Sequence, residues 1–261
     1  MHLLSKKDYA KVIPIYDAVE NSRPVIFSVI DGNMEGTVYA DNAENPQTAL
    51  VMLFDMLFFA GKQNAAFCKA ALDLLTREVF PKMDERYFDC YCLSGELRQD
   101  IEALFGGMIT GRPIRKTWTF TKEAFAQQPN WRDSVPDGFR MARMDEAFIT
   151  AYHCDRNYWH PAAKRFGYAL VCGDEIVCEC TACFVGGGQA EITVDTKEPY
   201  QRRGFATITC TAFIEHSLSL GLLPNWSCWD FRTASIALAR RLGFRENTDD
   251  VVYGLTKAEN S

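Results

Sequence analysis

The sequence predicts an α/β protein, a mixed sheet flanked by helices, arranged in two parts. Three features predict it: strand-length apolar runs alternate with amphipathic helical ones along the 261 residues, 48% of the chain is hydrophobic, and the periodicity lapses once near the middle. The lapse runs from Phe125 to Gly138, with Pro129, Pro136 and a closing Asp137-Gly138 turn signal. The expected organisation is an N-terminal α/β domain over 1–125, a linker over 126–138 and a second domain over 139–261.

In the first part, Asp8–Glu20 reads as a helix and Val25–Ile30, Glu35–Ala40 and Ala49–Phe59 as strands. A helix from Ala65 to about Phe80, a strand Tyr87–Leu93, a helix Glu96–Phe105 and a strand Ile114–Phe120 follow. The most hydrophobic run, Leu50 to Ala60, is too short to cross a bilayer and is interrupted by Asp55, so it reads as a buried strand.

The second part reads as strand Phe139–Arg143, helical segments within Asp145–Arg165, and strands Tyr168–Cys172 and Glu175–Phe184 around a Gly173-Asp174 turn. After Gly186-Gly187-Gly188 come strand Ala190–Thr196, helix Phe205–Leu220, strand Asn225–Trp229, helix Thr233–Leu242, and strands near Phe244 and over Val251–Leu255. The first part repeats some of this element order without the sequence. It is either a degenerate copy of the second part or an unrelated α/β cap.

The stretch Glu191 to Thr207 is the most informative. An alternating strand turns through Tyr200-Gln201-Arg202-Arg203-Gly204-Phe205-Ala206 into a long helix, with small residues where a backbone must approach a ligand. The unpaired first-turn amides of that helix, its dipole and the cations Arg202 and Arg203 make an anion site. A tight connection also takes glycine for steric reasons alone, so the turn by itself carries both readings.

Glu191-Ile192-Thr193-Val194-Asp195-Thr196 followed by Gln201-Arg202-Arg203-Gly204-Phe205-Ala206-Thr207 resembles the acetyl-CoA-binding strand and pyrophosphate loop of GNAT-type N-acetyltransferases, whose loop pattern is Arg/Gln-x-x-Gly-x-Gly/Ala. Asn225–Trp229 and Thr233–Phe244, closing on Leu242-Gly243-Phe244, resemble that family's next strand and last helix. The resemblance runs from Phe139 to Thr256 and implies a GNAT-like acyl-CoA N-acyltransferase fold there, with acetyl-CoA as cosubstrate.

It further implies that main-chain groups of Val194 to Thr196 pair with the pantetheine arm, and that the amides from Gln201 to Thr207 take the pyrophosphate. Glu191 stands where the family often carries a carboxylate that draws the amine proton; its other reading is an exposed or salt-bridged strand-end residue. Counting back from Gly243-Phe244 puts Arg232, Ser235 and Ala239 at the family's Asn, Ala and Tyr positions. Arg232 either reaches a CoA phosphate or is a solvated helix-start arginine. With no phenol at 239, the leaving thiolate takes its proton from Tyr200, Tyr253 or water, or leaves without one, which a thiol of pKa about 8.5 tolerates.

Composition excludes other classes. A net charge of −6 argues against an extended grip on nucleic acid or anionic lipid, and the amino terminus carries no apolar export signal. Ten cysteines then read as reduced thiols in a cytoplasmic protein. Cys178-x-Cys180-x-x-Cys183 and Cys90-x-Cys92 lack a second half of metal-ligand spacing, so no metal is expected. The implied function is acetyl transfer to an amine of a small molecule or a peptide N-terminus. Tyr152, Tyr158, Trp159, Trp226 and Trp229 either stack on that acceptor or belong to the core. A homodimer is compatible with such an enzyme, although no apolar stripe marks a contact surface. Two alternatives stay open: a catalytically silent acyl-CoA-binding regulatory protein, and a structural module whose Gly204 turn is merely tight.

Overall fold

The protein is described by a computed structural model covering residues 1–19, 21–82 and 87–256. The chain runs β1 (His2–Leu3), α1 (Ile13–Tyr16), α2 (Arg23–Ile30), β2 (Thr37–Ala40), β3 (Thr48–Leu53), β4 (Met56–Gly61) and α3 (Ala65–Leu74). It continues β5 (Tyr87–Cys92), α4 (Gly95–Phe105), β6 (Ile109–Gly111), β7 (Ile114–Phe120), α5 (Lys122–Phe125), β8 (Phe139–Arg143), α6 (Glu146–Ala151) and β9 (Gly167–Cys172). Then come β10 (Glu175–Gly186), β11 (Gln189–Thr196), α7 (Phe205–Ser219), β12 (Leu223–Trp229), α8 (Thr233–Arg241), β13 (Phe244–Glu246) and β14 (Asp250–Thr256). Two compact units result: Met1–Arg115 with the segment from Asp249 on, and Lys116–Thr248.

In the first unit, β2, β3 and β4 form an antiparallel meander, and α3 carries the chain over to β5, which lies parallel to β4. β14 closes the other side of β5 in antiparallel register, Tyr253 opposite Cys90 and Leu255 opposite Phe88. Leu50, Leu57, Phe59, Phe67, Phe88, Ile101, Phe105, Tyr253 and Leu255 fill the core beneath α3 and α4. The second unit repeats the plan: β8 to β11 are antiparallel, and α7 crosses to β12, which is parallel to β11. Its core joins Cys180, Ala182 and Ile192 of the sheet to Cys210, Phe213 and Ile214 of α7. α7 is not the amphipathic helix expected there: Thr209 to Ile214 are buried without a break, so the helix is covered on nearly all sides.

Several elements differ from expectation. Val25–Ile30 is helical, not extended: an unbroken apolar run has no period to read, and Pro24 in the first turn favours a helix start. Ala49–Phe59 is a hairpin rather than one strand, broken at Phe54-Asp55, where Phe54 takes φ 53° with an exposed side chain. No glycine announced that turn. The expected helix Asp8–Glu20 is a 3-10 segment, Lys6–Val12, followed by α1, and Glu20 lies outside the described residues. The helix expected from Ala65 to about Phe80 is present, α-helical over Ala65–Leu74 and π-helical over Leu75–Val79. Within Asp145–Arg165 only α6 and a 3-10 turn at Pro161–Ala163 are helical.

The domain division also differs. The segment 126–138 is not a free linker but part of the second unit, where Arg132 pairs with Glu215 at 2.6 Å and Gln128 Nε2 donates to the Arg241 carbonyl at 2.7 Å. The break falls instead at Arg115/Lys116, and the final strand returns to the first unit. The second unit is one contiguous stretch, and the first is assembled from both ends of the chain.

Two outcomes follow from this packing. Removing the chain from Asp249 onward takes away Val252, Tyr253 and Leu255, each buried and each worth about 2 kcal/mol; hydrogen exchange will show protection lost over β4 and β5, and a truncated chain protected there like the parent overturns the division. His216 on α7 sits against the Phe166 and Tyr168 rings, and burial, then Arg143, holds its pKa below the ordinary value. A depressed histidine leaves stability intact above pH about 6.5 and loses it as pH falls toward the folded-state value. Urea midpoints will therefore drop between pH 7.5 and 5.5 in the parent, and by less in His216→Phe.

Candidate functional site

β11 lies between β10 and β12, and its two edges behave differently. On the β10 side pairing continues to Thr196, with Cys183 standing as an extra residue between Ala182, opposite Ile192, and Phe184, opposite Glu191. Such a bulge bends the strand that carries it and sharpens the local twist. On the β12 side the parallel ladder contains Gln189 with Leu223, Ala190 with Pro224 and Glu191 with Asn225, and ends there, although both strands run on. From Ile192 the two strands are no longer paired, and that main-chain edge of β11 has no partner in β12.

Glu191 stands at the vertex. It is 4% exposed, yet both carboxylate oxygens are satisfied: Ser227 Oγ donates to Oε1 at 2.5 Å, and Asn225 Nδ2 donates to Oε2. The Cys183 thiol donates to the Glu191 carbonyl at 3.4 Å. A buried carboxylate without such donors would be costly, so β12 makes this position tenable. Alternation along β11 puts Thr193 and Asp195 on the same sheet face, and Asp195 lies opposite Glu179. Burial, then Asp195, raises the Glu179 pKa.

At the far end of β11 the strand runs into the turn before α7. The Thr196 carbonyl accepts from Gln201 Nε2 at 3.0 Å, and the Gln201 amide donates to Glu198 O, so the side chain and amide of Gln201 are both taken up within the turn. Beyond it, Arg202 has φ 59° and Gly204 φ 83°, left-handed values that curl the chain into α7. Among the described residues the amides of Arg203, Gly204, Phe205, Ala206 and Thr207 donate to no protein group, and the first bond of the helix ladder is Ile208 N to Gly204 O. The Arg203 guanidinium lies 4.8 Å from the Phe205 ring and 5.5 Å from Phe139. Arg202 and Arg203 are exposed beside this set of donors, which can take an anion with the helix dipole behind it.

The remaining candidates are placed as follows. Val194, half-buried, packs against the two cores on either side of it, and Thr196 Oγ1 donates to Cys178 Sγ. Arg232 is exposed at the start of α8 with its guanidinium 5.7 Å from the Phe231 ring. Ser235 Oγ accepts from Trp226 Nε1 at 3.1 Å, tying α8 to β12. Tyr200 donates to Glu175 Oε2 at 3.0 Å, and that bond raises its pKa. Glu175 and Phe184, the partner of Glu191, are separated by roughly 25–30 Å of strand, so Tyr200 is not brought to Glu191. Tyr253 belongs to the first unit, buried in its core with its hydroxyl on Glu102; burial, then Glu102, pushes its pKa up to about 12. Ala239 is buried and shares its cluster with Trp226 and Phe244.

Asn225 and Ser227 were not among the sequence candidates. Their signal was there: in Asn225-Trp226-Ser227-Cys228 the polar residues alternate with buried ones, so both fall on one sheet face. All ten cysteines are free, and among the described residues no three His, Cys, Asp or Glu side chains are grouped to hold a metal ion. No described helix is long and apolar enough to cross a membrane.

The first unit has the same elements and none of the openings. β4 and β5 stay paired from Met56 with Asp89 to Phe59 with Cys92, and Leu93 N continues the ladder to Phe59 O. At the start of α3, the Asn64 side chain caps the Phe67 amide, while the Asp100 carboxylate takes the Asn64 amide at 3.0 Å and Gln63 Nε2 at 3.1 Å. A protein carboxylate already occupies that helix start.

The sequence profile described as GNAT acetyltransferase matches residues 17–253, across both units. The chain is 28% identical over 275 residues to the uncharacterized N-acetyltransferase YdfB of Bacillus subtilis (strain 168), covering 96% of this chain and 97% of that one. Among solved structures it is similar to a GCN5-related N-acetyltransferase-like protein from Streptococcus suis 89/1591, with TM-score 0.67, 18% identity and coverage of 95% and 98%. It is also similar to a tandem GNAT protein from the clavulanic acid biosynthesis pathway, with TM-score 0.66, 11% identity and coverage of 99% and 98%. At those identities the structures bear on the fold, which is a two-part GNAT-like one.

Gly204 offers a direct check. No atom lies within 4 Å of where its Cβ would stand, so the cost of Gly204→Ala is that of a left-handed φ, about 1 kcal/mol. Gly204→Glu adds a carboxylate beside the open amides and should weaken inorganic pyrophosphate binding at least tenfold beyond Gly204→Ala, by calorimetry. Equal affinities in the two variants would take the anion away from this turn.

Proposed function

The chain belongs to the GNAT acetyltransferase family, and on that footing we propose that it moves an acetyl group from acetyl-CoA directly to the primary amine of a small molecule or a peptide N-terminus. One observation carries the reading: parallel strands part at a buried, fully hydrogen-bonded carboxylate, and an open helix start lies at the other end of the same strand. The edge of β11 over Val194 to Thr196 offers main-chain groups to an extended amide-bearing arm, in the manner of an added strand. Arg203 to Thr207 would hold the pyrophosphate through their amides, with Arg202 and Arg203 adding charge and Gln201 bracing the turn. Arg232 is free to swing toward a phosphate, whereas Ser235 serves the site by fixing β12 to α8.

In the proposed reaction the ammonium gives one proton to Glu191, the freed nitrogen attacks the thioester carbon, its second proton goes to solvent, and the C–S electron pair leaves on sulfur. An amide of the open edge would stabilise the developing oxyanion. With the Tyr200 and Tyr253 hydroxyls bound to Glu175 and Glu102, the thiolate takes its proton from solvent. Glu179, Glu191 and Asp195 on one face favour an acceptor that arrives as a cation.

A silent acyl-CoA-binding role is the second reading, favoured by Ala239 in place of a phenol. Calorimetry with acetyl-CoA and CoA, followed by thiol release with putrescine, tyramine, glucosamine and glycinamide, separates the two. The enzyme reading expects one CoA site per chain, amine-dependent release, and a fall of about 100-fold or more in kcat for Glu191→Gln with cofactor affinity kept. Binding without release from any amine would favour the silent protein; absence of binding would sink both.

A further inference from the structure

Glu191 is too deeply placed to meet an acceptor directly. It is 4% exposed, its Oε2 is held by Asn225, and its Oε1 is covered by the Ser227 hydroxyl at 2.5 Å. Ser227 is different in kind: it is only half-buried, and it lies two residues past Asn225, in the part of β12 that no longer pairs with β11. Of the two groups in this pair, the hydroxyl belongs to the less buried residue. A hydroxyl donates one proton and accepts through two lone pairs, so it can receive a hydrogen bond from an ammonium while giving its own to the carboxylate.

We propose that Ser227 is the proton relay of the site, the group that touches the acceptor amine and hands its proton to Glu191, and that Asn225 is a positioning residue that keeps Oε1 turned toward Ser227. This rests on the reading of Glu191 as the base. The ammonium gives one proton to Ser227 Oγ as the serine proton moves to Glu191 Oε1; the freed amine then bonds to the acetyl carbon and releases its second proton to solvent. The C–S bond breaks with its electron pair on sulfur. The thiolate takes a proton from solvent, and Glu191 returns one to solvent through the same hydroxyl, so the serine ends as it began. The two transfers are concerted, because neither an alkoxide nor an oxonium at Ser227 would be stable beside a buried carboxylate.

Kinetics of Ser227→Ala, Ser227→Thr, Glu191→Gln and the Ser227→Ala/Glu191→Gln double variant test the proposal, using whichever of putrescine, tyramine, glucosamine and glycinamide the parent acetylates fastest. Ser227→Ala should lower kcat about 100-fold with acetyl-CoA affinity unchanged within twofold, and Ser227→Thr, which keeps a hydroxyl, should recover at least a tenth of the parental rate. The double variant should be no slower than Glu191→Gln alone, since the two act as one path. The relay is overturned if Ser227→Ala stays within threefold of the parent, if Thr is as slow as Ala, or if the two losses multiply. A Glu191→Gln variant with parental turnover would remove the base and the relay together. A slow Glu191→Gln beside a fast Ser227→Ala would remove the relay alone.

Discussion

The parting of β11 from β12 after Glu191 and Asn225 is the constraint on which the rest of the site depends. Two parallel strands in a sheet ordinarily stay hydrogen-bonded, because each unpaired main-chain group buried from water is costly. Here the ladder stops with several residues of both strands still to run, so the groups beyond it need another partner. The bulge at Cys183 supplies the bend, and Asn225 and Ser227 supply the fastening, by closing on the one carboxylate that lies at the fork. Replacing that carboxylate with an apolar group would remove the acceptor that Asn225 and Ser227 share at the fork.

The two units show what it takes to turn a common framework into a site. Both cross from an antiparallel meander to a parallel strand by way of a helix. In the first, the ladder from Met56 to Leu93 is closed and the start of α3 is filled by Asn64 and Asp100. In the second, the ladder opens and the start of α7 has no protein acceptor among the described residues. A helix start satisfied by the protein's own carboxylate repels a phosphate, and one left open attracts it. Sequence divergence at a few positions, Asp100 and Asn64 against Arg203 and Gly204, thus separates a filled helix start from an open one.

Much of the second unit was legible because its signals are local. Tyr200 to Ala206 announces a strand-to-helix turn through Gly204, and the two-residue period of Ala190–Thr196 places β11 without any tertiary knowledge. The first unit was harder for physical reasons. Val25–Ile30 is apolar at every position, and a segment buried all round shows no face. Phe54-Asp55 turns without the glycine or asparagine that usually marks left-handed backbone. The boundary at Arg115 lies inside β7, where no composition changes, and the return of β14 to the first unit is a matter of long-range pairing alone. In the site, Glu191 could be read from its strand, but its partners could not, since the register of Glu191 against Asn225 is fixed by the crossover through α7 and not by either strand.

The fate of the phenol positions bears on how the proton balance is arranged. At 239 an alanine is buried in a core that Trp226 and Phe244 occupy, and the Trp226 indole is anchored to Ser235, so that part of α8 serves packing. Tyr200 and Tyr253 are each hydrogen-bonded to a glutamate; Glu175 raises the pKa of the first, burial and then Glu102 that of the second, and both are poorer donors for it. In the proposed reaction the polar groups therefore serve the amine side, and none of these phenols serves the sulfur side. That asymmetry is chemically sound. An ammonium must lose a proton before its nitrogen can attack, whereas a thiolate of pKa about 8.5 is an adequate leaving group near neutrality. On the proposed mechanism the buried carboxylate and the serine hydroxyl bonded to it act on the step that needs help, and the departing sulfur relies on water.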